Sequence, residues 1–381
     1  MRFSVDAHAI GQHLTGNEVY VRNLLNGFAA LDQTSEFVAY LSGQDASAQI
    51  PKRFATRQVS SNPFLRLGFE LTQCLRDDRP DLLHVQYTAP LACAAPIVVS
   101  VHDVSFLEHP EWFPWLRSRQ LRLTVRRTVR RASRVLTPSE FSARSIAASY
   151  RAEEKTVVIP NAVSSAFRPV PRASAAGWVR ERFGIPAPFV LSVGDLQPRK
   201  NQAGLIRAFE ELLRDSPQLP HHLVLVGKET WYAGRVRRAA AASACAGRIH
   251  FTGFVGDDEL LQLYGACDLF VFPSFYEGFG LPILEAMACG RAVACSNTTA
   301  MPEVADAAAL LFDPRSTTEM TRAMKDLLVD AELRARIERL GAQRSAAFSW
   351  ENTARKTLAV YYEVAEGHAR VAKAVSAAPV L

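Results

Sequence analysis

The 381-residue sequence predicts an α/β protein made of two Rossmann-like domains, with parallel sheets facing each other across a cleft. Two observations predict it. Short apolar runs alternate with helical patterns, the order of a parallel sheet covered on both faces. The alternation is interrupted once, by a proline-bearing stretch of small residues, and then resumes. The length also suits two domains of ~100–200 residues each. Hydrophobic residues are 48% of the chain, enough for two cores, and 22% charged residues argue against global disorder.

In order, RFSVDA (2–7) reads as a strand and is followed by a helix from about Glu18. FVAYL (37–41), DLLHVQ (81–86) and IVVSVHD (97–103) are strands, the last with a polar exit. RVLTPS (134–139) runs into a helix start at Ser139, and TVVIPN (156–161) closes the first series at Asn161, a residue that shapes a loop. This gives an N-terminal domain over 1–168. FRPVPRASAAGW (167–178) lacks apolar periodicity and reads as a linker, placed at 169–182. The second series, over 183–350, has strands at FVLSVGD (189–195), HLVLVGK (222–228), RIHFTG (248–253), LFVFPS (269–274), AVACSN (292–297) and AALLF (308–312). Helices are expected at 203–215 and 258–268. The remainder, 351–381, is expected as a helix packing back on the N-terminal domain. Ligands of such folds bind where the carboxyl ends of the strands meet the cleft.

The formal charge of +6 suits an anionic substrate, membrane surface or nucleic acid. LRSRQLRLTVRRTVRRASR (116–134) concentrates it: eight arginines and no acidic residue, with Leu116, Leu123 and Val129 suggesting helical faces. Either a solvated basic face or a surface for anionic lipid fits. Nucleic-acid binding is not expected, since interleaved aromatics and a known module are lacking. None of the six cysteines forms a C-x-x-C pair, so buried thiols in a reducing compartment are expected rather than zinc. MRFSVDAHAI is too short and polar for a signal peptide, and no window approaches ~18 apolar residues. The expectation is a cytoplasmic protein, at most peripheral to the inner face of the cytoplasmic membrane.

The most informative stretch is VFPSFYEGFGLPILEAMACGRAVACSN (271–297). A strand ends near Ser274, a loop carries Glu277, Gly278 and Gly280, and a helix starts with Pro282 in its first turn. Gly290 stands where a C-terminal cap belongs. The glycines let backbone N–H groups approach a ligand, and the helix start suits a diphosphate. Glu277 can accept hydrogen bonds from sugar hydroxyls, and Glu285 from the cis-diol of a ribose. In SVGDLQPRKNQAGLIRAF (192–209), Arg199 and Lys200 sit in a strand-to-helix loop. A departing diphosphate gains negative charge that a metal or fixed cations must neutralise. No D-x-D motif stands at a strand end, so no metal and no cofactor are expected.

EGFGLPILEAMACG resembles the E-x7-E motif of the retaining GT-B glycosyltransferases, in particular the large family 4, and the resemblance runs in order over nearly the whole chain. It implies that Glu277 contacts the donor sugar, Glu285 the ribose, and N–H groups around Phe279, Gly280 and Leu281 the sugar and phosphate. PRKN (198–201) resembles the segment whose basic residues hold the donor phosphates. Many members carry an arginine five residues before the lysine, where this chain has Asp195; Arg199 takes that role. HLTGNEVYVRNLL (13–25) resembles a family loop that places Gly16 near the donor phosphates and acceptor, while Asn17 and Glu18 equally suit a helix cap. SVHDVSFLEHPEWF (100–113) resembles a signature of family 4 enzymes, many of them mannosyl- or rhamnosyltransferases, whose histidine, here His102, reaches the donor sugar. Asp103 orients His102 or caps the next segment. RIHFTGFV (248–255) resembles the segment that reads the nucleotide base, with Phe254 the candidate through its main chain.

The implied function is transfer of a sugar from a nucleotide-sugar donor, best GDP-mannose, then dTDP-rhamnose or a UDP-sugar. The implied acceptor is a growing, lipid-linked polysaccharide. A nucleotide-sugar epimerase on the same fold, or a non-catalytic peripheral membrane protein, are the alternatives.

Overall fold

The computed structural model describes residues 1–12, 15–43 and 46–377. It divides into two compact units: Met1–Asn161 together with the segment from Ser349 onward, and Ala162–Phe348.

The first unit holds a parallel sheet of β1 (Arg2–Asp6), β2 (Glu36–Leu41), β3 (Ala55–Gln58), β4 (Leu82–Gln86), β5 (Ile97–Ser100), β6 (Arg134–Thr137) and β7 (Thr156–Val158), in the order β3-β2-β1-β4-β5-β6-β7. Central β4 and β5 are buried at every position, which is why they read as unbroken apolar runs. β3, sequence Ala-Thr-Arg-Gln, is an edge strand exposed throughout, so no apolar run marks it in the sequence.

Two apolar clusters cover the sheet. One joins the Thr15–Leu31 helix to the C-terminal Trp350–Ala377 helix. These two helices pack so closely that a Cβ at Gly27 would lie 2.5 Å from the Ala354 Cβ. Tyr361 adds a polar tie: its hydroxyl is 2.5 Å from Nδ1 of buried His84, whose Nε2 is 2.8 Å from the Ser100 hydroxyl. The other cluster holds Tyr40, Leu83, Val99 and Val125 on the opposite face.

The second unit repeats the plan with β8 (Phe189–Val193), β9 (His222–Val226), β10 (Ile249–Gly253), β11 (Leu269–Phe272), β12 (Ala292–Ser296) and β13 (Leu310–Phe312), in the order β10-β9-β8-β11-β12-β13, all parallel. Both orders reverse direction once, at β1/β4 and at β8/β11. In doubly wound sheets, ligands bind beyond the carboxyl ends of the strands at that switch point.

The expected linker at 169–182 is corrected. Arg172–Phe183 is a helix of the second unit, with Ala175 and Val179 buried beside Tyr264 and Phe167. The division falls at Asn161, not at residue 168. All six cysteines are free thiols; Cys267, Cys289 and Cys295 are buried.

Candidate functional site

Two loops flank the switch point of the second sheet. β8 leads into the Pro198–Lys200 turn and the Gln202–Asp215 helix. β11 leads into the loop of Glu277 and the Leu281–Ala288 helix. Arg199 Nη1 donates to Glu277 Oε2 at 2.8 Å across 78 residues, and Lys200 Nζ donates to Oε1 at 2.6 Å across 77. Arg199 also donates to the Tyr276 carbonyl. The Lys200 stem runs over Gly194, where a Cβ would lie 3.1 Å from its Cδ, and its ammonium stands 5.0 Å from the Phe272 ring centroid. The Glu277 backbone N–H donates to the Thr299 hydroxyl at 3.1 Å.

Burial pushes the Glu277 carboxyl up, but Arg199 and Lys200 outweigh it and hold its pKa at about 2. Burial, with Arg199 beside it, holds the Lys200 pKa below its usual value, against the support of Glu277. Glu277 therefore does more than was expected of it: each carboxylate oxygen serves a cation. An ionised carboxylate has about four lone-pair sites, so each oxygen keeps capacity for a sugar hydroxyl. Asp195, where many family members carry arginine, accepts instead from the Lys228 N–H at 3.1 Å.

The helix after Gly280 opens without a side-chain cap, leaving its first N–H groups to other partners. Gly280 takes φ +106°, a conformation suited to glycine, and Pro282 lies in the first turn. The Phe279 side chain is buried against Phe348, so only its backbone is available to a ligand. Gly278 is buried and Leu281 half-buried. Glu285, one turn on, accepts from the Tyr264 hydroxyl at 2.9 Å. Burial raises its pKa to about 7 against the help of Tyr264. Tyr264 was not singled out in the sequence; a tyrosine on an apolar helix face carries no mark of such a role. Phe254, beyond β10, is exposed, with the Lys228 ammonium 5.3 Å from its ring centroid.

His102 and Gly16 belong to the first unit. His102 follows β5, with Nε2 3.3 Å from Gln86 Oε1 and its ring edge-on to Tyr20 at 4.7 Å. Burial pushes its pKa down to about 4, so the imidazole is neutral at pH 7. Asp103 settles on the capping role: its Oδ1 accepts from the Ser105 N–H at 2.9 Å and the Ser105 hydroxyl at 2.6 Å. The first helix starts at Thr15, not near Glu18, so Gly16 is an exposed residue of its first turn rather than part of a loop. Glu18 accepts from the Gly11 N–H at 3.0 Å, which fastens the preceding turn. His13 and Leu14 of that segment lie outside the described residues.

The arginine run forms the Trp115–Arg131 helix. Leu116 and Leu123 are exposed, but Val129 is buried, so it belongs to the opposite face. Arg127 and Arg131 are spent on the carbonyls of Pro90, Leu91 and Cys93. Among the described residues, no group of three or more His, Cys, Asp or Glu is placed to hold a metal, and no helix is long and apolar enough to cross a membrane.

The family model described as glycosyl transferases group 1 matches residues 180–344, and that described as glycosyltransferase family 4 matches 14–167. The O-antigen chain mannosyltransferase B of Escherichia coli is 34% identical over 267 residues, 69% of this chain and 69% of that protein. The chain belongs to the group 1 glycosyltransferases. Among solved structures, this glycosyltransferase resembles sucrose-phosphate synthase from Thermosynechococcus elongatus, with TM-score 0.77 and 19% identity over 96% of this chain and 99% of that one. Anabaena Alr3699/HepE in complex with UDP-glucose gives TM-score 0.74 and 20% identity over 94% and 99%. At these identities the likeness is one of fold, the GT-B fold.

Proposed function

We propose that this glycosyltransferase moves mannose from GDP-mannose, with retention at the anomeric carbon, onto a growing surface polysaccharide or its lipid-linked precursor. The observation that carries the reading is the convergence of Arg199, Lys200 and Glu277 at the switch point of the second sheet. As the anomeric C–O bond breaks, electrons pass to the phosphate oxygen. The two cations and the N–H groups of the Leu281–Ala288 helix start take up that charge, without a divalent ion. The acceptor hydroxyl attacks from the same face, and its proton passes to the departing phosphate oxygen. Glu277 positions the sugar and the cations; it is not a nucleophile. His102 contributes a neutral hydrogen-bonding group. The choice of mannose is supported by the mannosyltransferase relative and by the segment HDVSFLEHPEWF. Purified protein assayed against GDP-mannose, dTDP-rhamnose and UDP-glucose is expected to consume GDP-mannose at least ten times faster than the others. A different preferred donor overturns the sugar assignment, and an epimer formed without acceptor overturns transfer itself.

Glu285 is read as the partner of the ribose diol. Both ribose hydroxyls then donate, which requires the ionised carboxylate. With a pKa of about 7, donor affinity is expected to rise between pH 6 and 8. The apo-protein follows the opposite trend. Its neutral Glu285 stabilises the fold below the usual carboxyl pKa of 4.5, and that contribution is lost as pH rises through about 7. Calorimetric titration with GDP at pH 6, 7 and 8 checks this, and Glu285→Gln is expected to flatten the profile. An unchanged slope in that variant removes Glu285 from the nucleotide site.

A peripheral membrane association is favoured by one specific feature. Trp115, Leu116, Arg119, Arg122, Leu123, Arg126 and Arg130 recur at helical spacing on one exposed face, with the Arg119 guanidinium 4.7 Å from the Trp115 ring centroid. Apolar residues among arginines fit the headgroup layer of an anionic bilayer. Sedimentation with phosphatidylglycerol vesicles is expected, and phosphatidylcholine vesicles are expected to leave the protein in solution. Trp115→Ala with Leu123→Ser is expected to weaken the binding about tenfold, following ~25 cal/mol per Å² of apolar area. Equal binding to both vesicle types ends this reading.

A further inference from the structure

Loops leave the carboxyl ends of three adjacent strands in the second unit, β8, β11 and β12. The middle loop carries Glu277. Its Phe275 N–H donates to the Arg199 carbonyl at 2.8 Å, which ties it to the loop after β8. On its other side it is tied to residues 298–300, between β12 and the Met301–Ala305 helix. The Thr298 hydroxyl donates to the Phe275 carbonyl at 3.1 Å. The Glu277 N–H donates to the Thr299 hydroxyl at 3.1 Å, and the Ala300 N–H donates to the Glu277 carbonyl at 3.4 Å. Glu277 is thus held by its side chain from the loop after β8 and by its backbone from the loop after β12.

Thr299 takes part at a cost. Its φ is +59°, in the left-handed region, where a β-branched side chain crowds its own backbone. Six non-glycine residues take a positive φ among the described residues: Arg79, Tyr87, Arg151, Asn201, Thr299 and Asp306; Thr299 alone of them is β-branched. Arg79 and Arg151 close helices, where a left-handed residue is common. Thr299 follows a strand and closes no helix. A glycine would take this φ freely, so local sterics do not select threonine here. A glycine would also leave the Glu277 N–H without its acceptor. Glu277 is 7% exposed, and a buried N–H that loses its partner must find another or shift the loop that carries it. Strain of this kind persists only where the surrounding structure fixes it, and it gathers at functional sites.

We propose that Thr299 is a positioning residue for sugar transfer: its strained backbone is kept so that its hydroxyl fixes the N–H of Glu277, and with it the carboxylate that serves the donor sugar, Arg199 and Lys200. Thr299 acts through Glu277 and not on the reacting atoms. The inference rests on the reading of Glu277 as the group that positions the sugar. A misplacement of about 1 Å at such a group is enough to cost on the order of 10²-fold in rate.

The test uses the full chain and whichever of GDP-mannose, dTDP-rhamnose and UDP-glucose it consumes fastest. Thr299→Val keeps the branched shape and removes the hydroxyl; Thr299→Gly removes the hydroxyl and the strain together. Both are expected to lower kcat about tenfold, while affinity for the matching nucleoside diphosphate, followed by calorimetry, stays within about twofold. Thr299→Ser, which keeps a hydroxyl, is expected to recover most of kcat. Thermal melts separate positioning from folding. Thr299→Gly is expected to have a higher Tm than Thr299→Val, because its φ is unstrained, and yet to be no more active. Activity that follows Tm, with Thr299→Gly near wild type, makes the contact a structural one and overturns the proposal. So does an equal loss of kcat and of nucleotide affinity. Thr299→Gly carries the test alone if Thr299→Val fails to fold. Glu277→Gln, assayed in parallel, tells two failures apart. If it keeps full activity, the reading of Glu277 falls and takes the inference with it. If it is inactive while Thr299→Val and Thr299→Gly match wild type, the inference alone falls.

Discussion

Replacing Lys200 by alanine is expected to lower kcat for sugar transfer about 10²–10³-fold, with a much smaller change in donor KM. The Lys200 ammonium is desolvated, with its side chain 12% exposed, and is fixed by Gly194 beneath the stem, Phe272 beside it and Glu277 in front. A charge already stripped of water and held in place stabilises the diphosphate leaving group without reorganisation. Removing one such donor from a pre-formed charge-stabilising site costs about 2.7–4 kcal/mol of barrier. The effect falls mostly on kcat because the extra negative charge develops as the bond breaks. Lys200→Arg is not expected to rescue, since the planar fork does not fit the stem path that Gly194 crowds. Steady-state kinetics with the preferred donor check this. Residual activity within fivefold of wild type removes Lys200 from the chemistry and with it the metal-free account of the leaving group.

Glu277→Gln is expected to fail in two ways at once. The carboxylate neutralises Arg199 at 2.8 Å and Lys200 at 2.6 Å. Its loss leaves two adjacent half-buried cations, and breaking even a fully buried pair from one side costs about 3–5 kcal/mol, the upper bound here. Lys200 then loses the partner that opposes the downward push of burial on its pKa. Transfer is expected to drop at least as far as in Lys200→Ala, with a lower Tm. Acid stability reports the same contact. The Glu277 pKa, about 2, lies below its ordinary value of 4.5. Its contribution is therefore present above pH 4.5 and lost as pH falls toward 2, and amounts to about 3 kcal/mol at most. Urea melts at pH 7, 4 and 3 are expected to show wild type losing stability faster than Glu277→Gln. Parallel pH profiles exclude the ion triad as drawn.

Much of the local structure was legible before any coordinates. The strands that flank both switch points have apolar runs long enough to declare themselves, and the Glu277–Pro282 turn carries glycine and proline where a helix start needs them. The misses have physical causes. β3 lies on an edge, exposed at all four residues, so burial imposed no apolar pattern on it. The Arg172–Phe183 helix buries only Ala175 and Val179, a stripe too thin and small to be seen among arginines and serine. Leu116, Leu123 and Val129 suggested helical faces without telling them apart, because a lone valine does not reveal which side of a helix meets the sheet; Val129 is buried and the two leucines are exposed.

The sequence by itself determined the succession of strands and helices, the family, and the residue types at the candidate donor site. Those follow from backbone sterics and periodicities that act over a few residues. Only the tertiary structure decided that Arg199 and Lys200 share one carboxylate, that Asp103 caps rather than orients, that His102 is neutral at pH 7, that Glu285 titrates near pH 7, and that Thr299 holds the Glu277 N–H from a left-handed backbone. Ion pairing and burial depend on groups brought together from distant parts of the chain. The cost of charging a side chain is set by the water that those groups exclude, and no local pattern of residues records it.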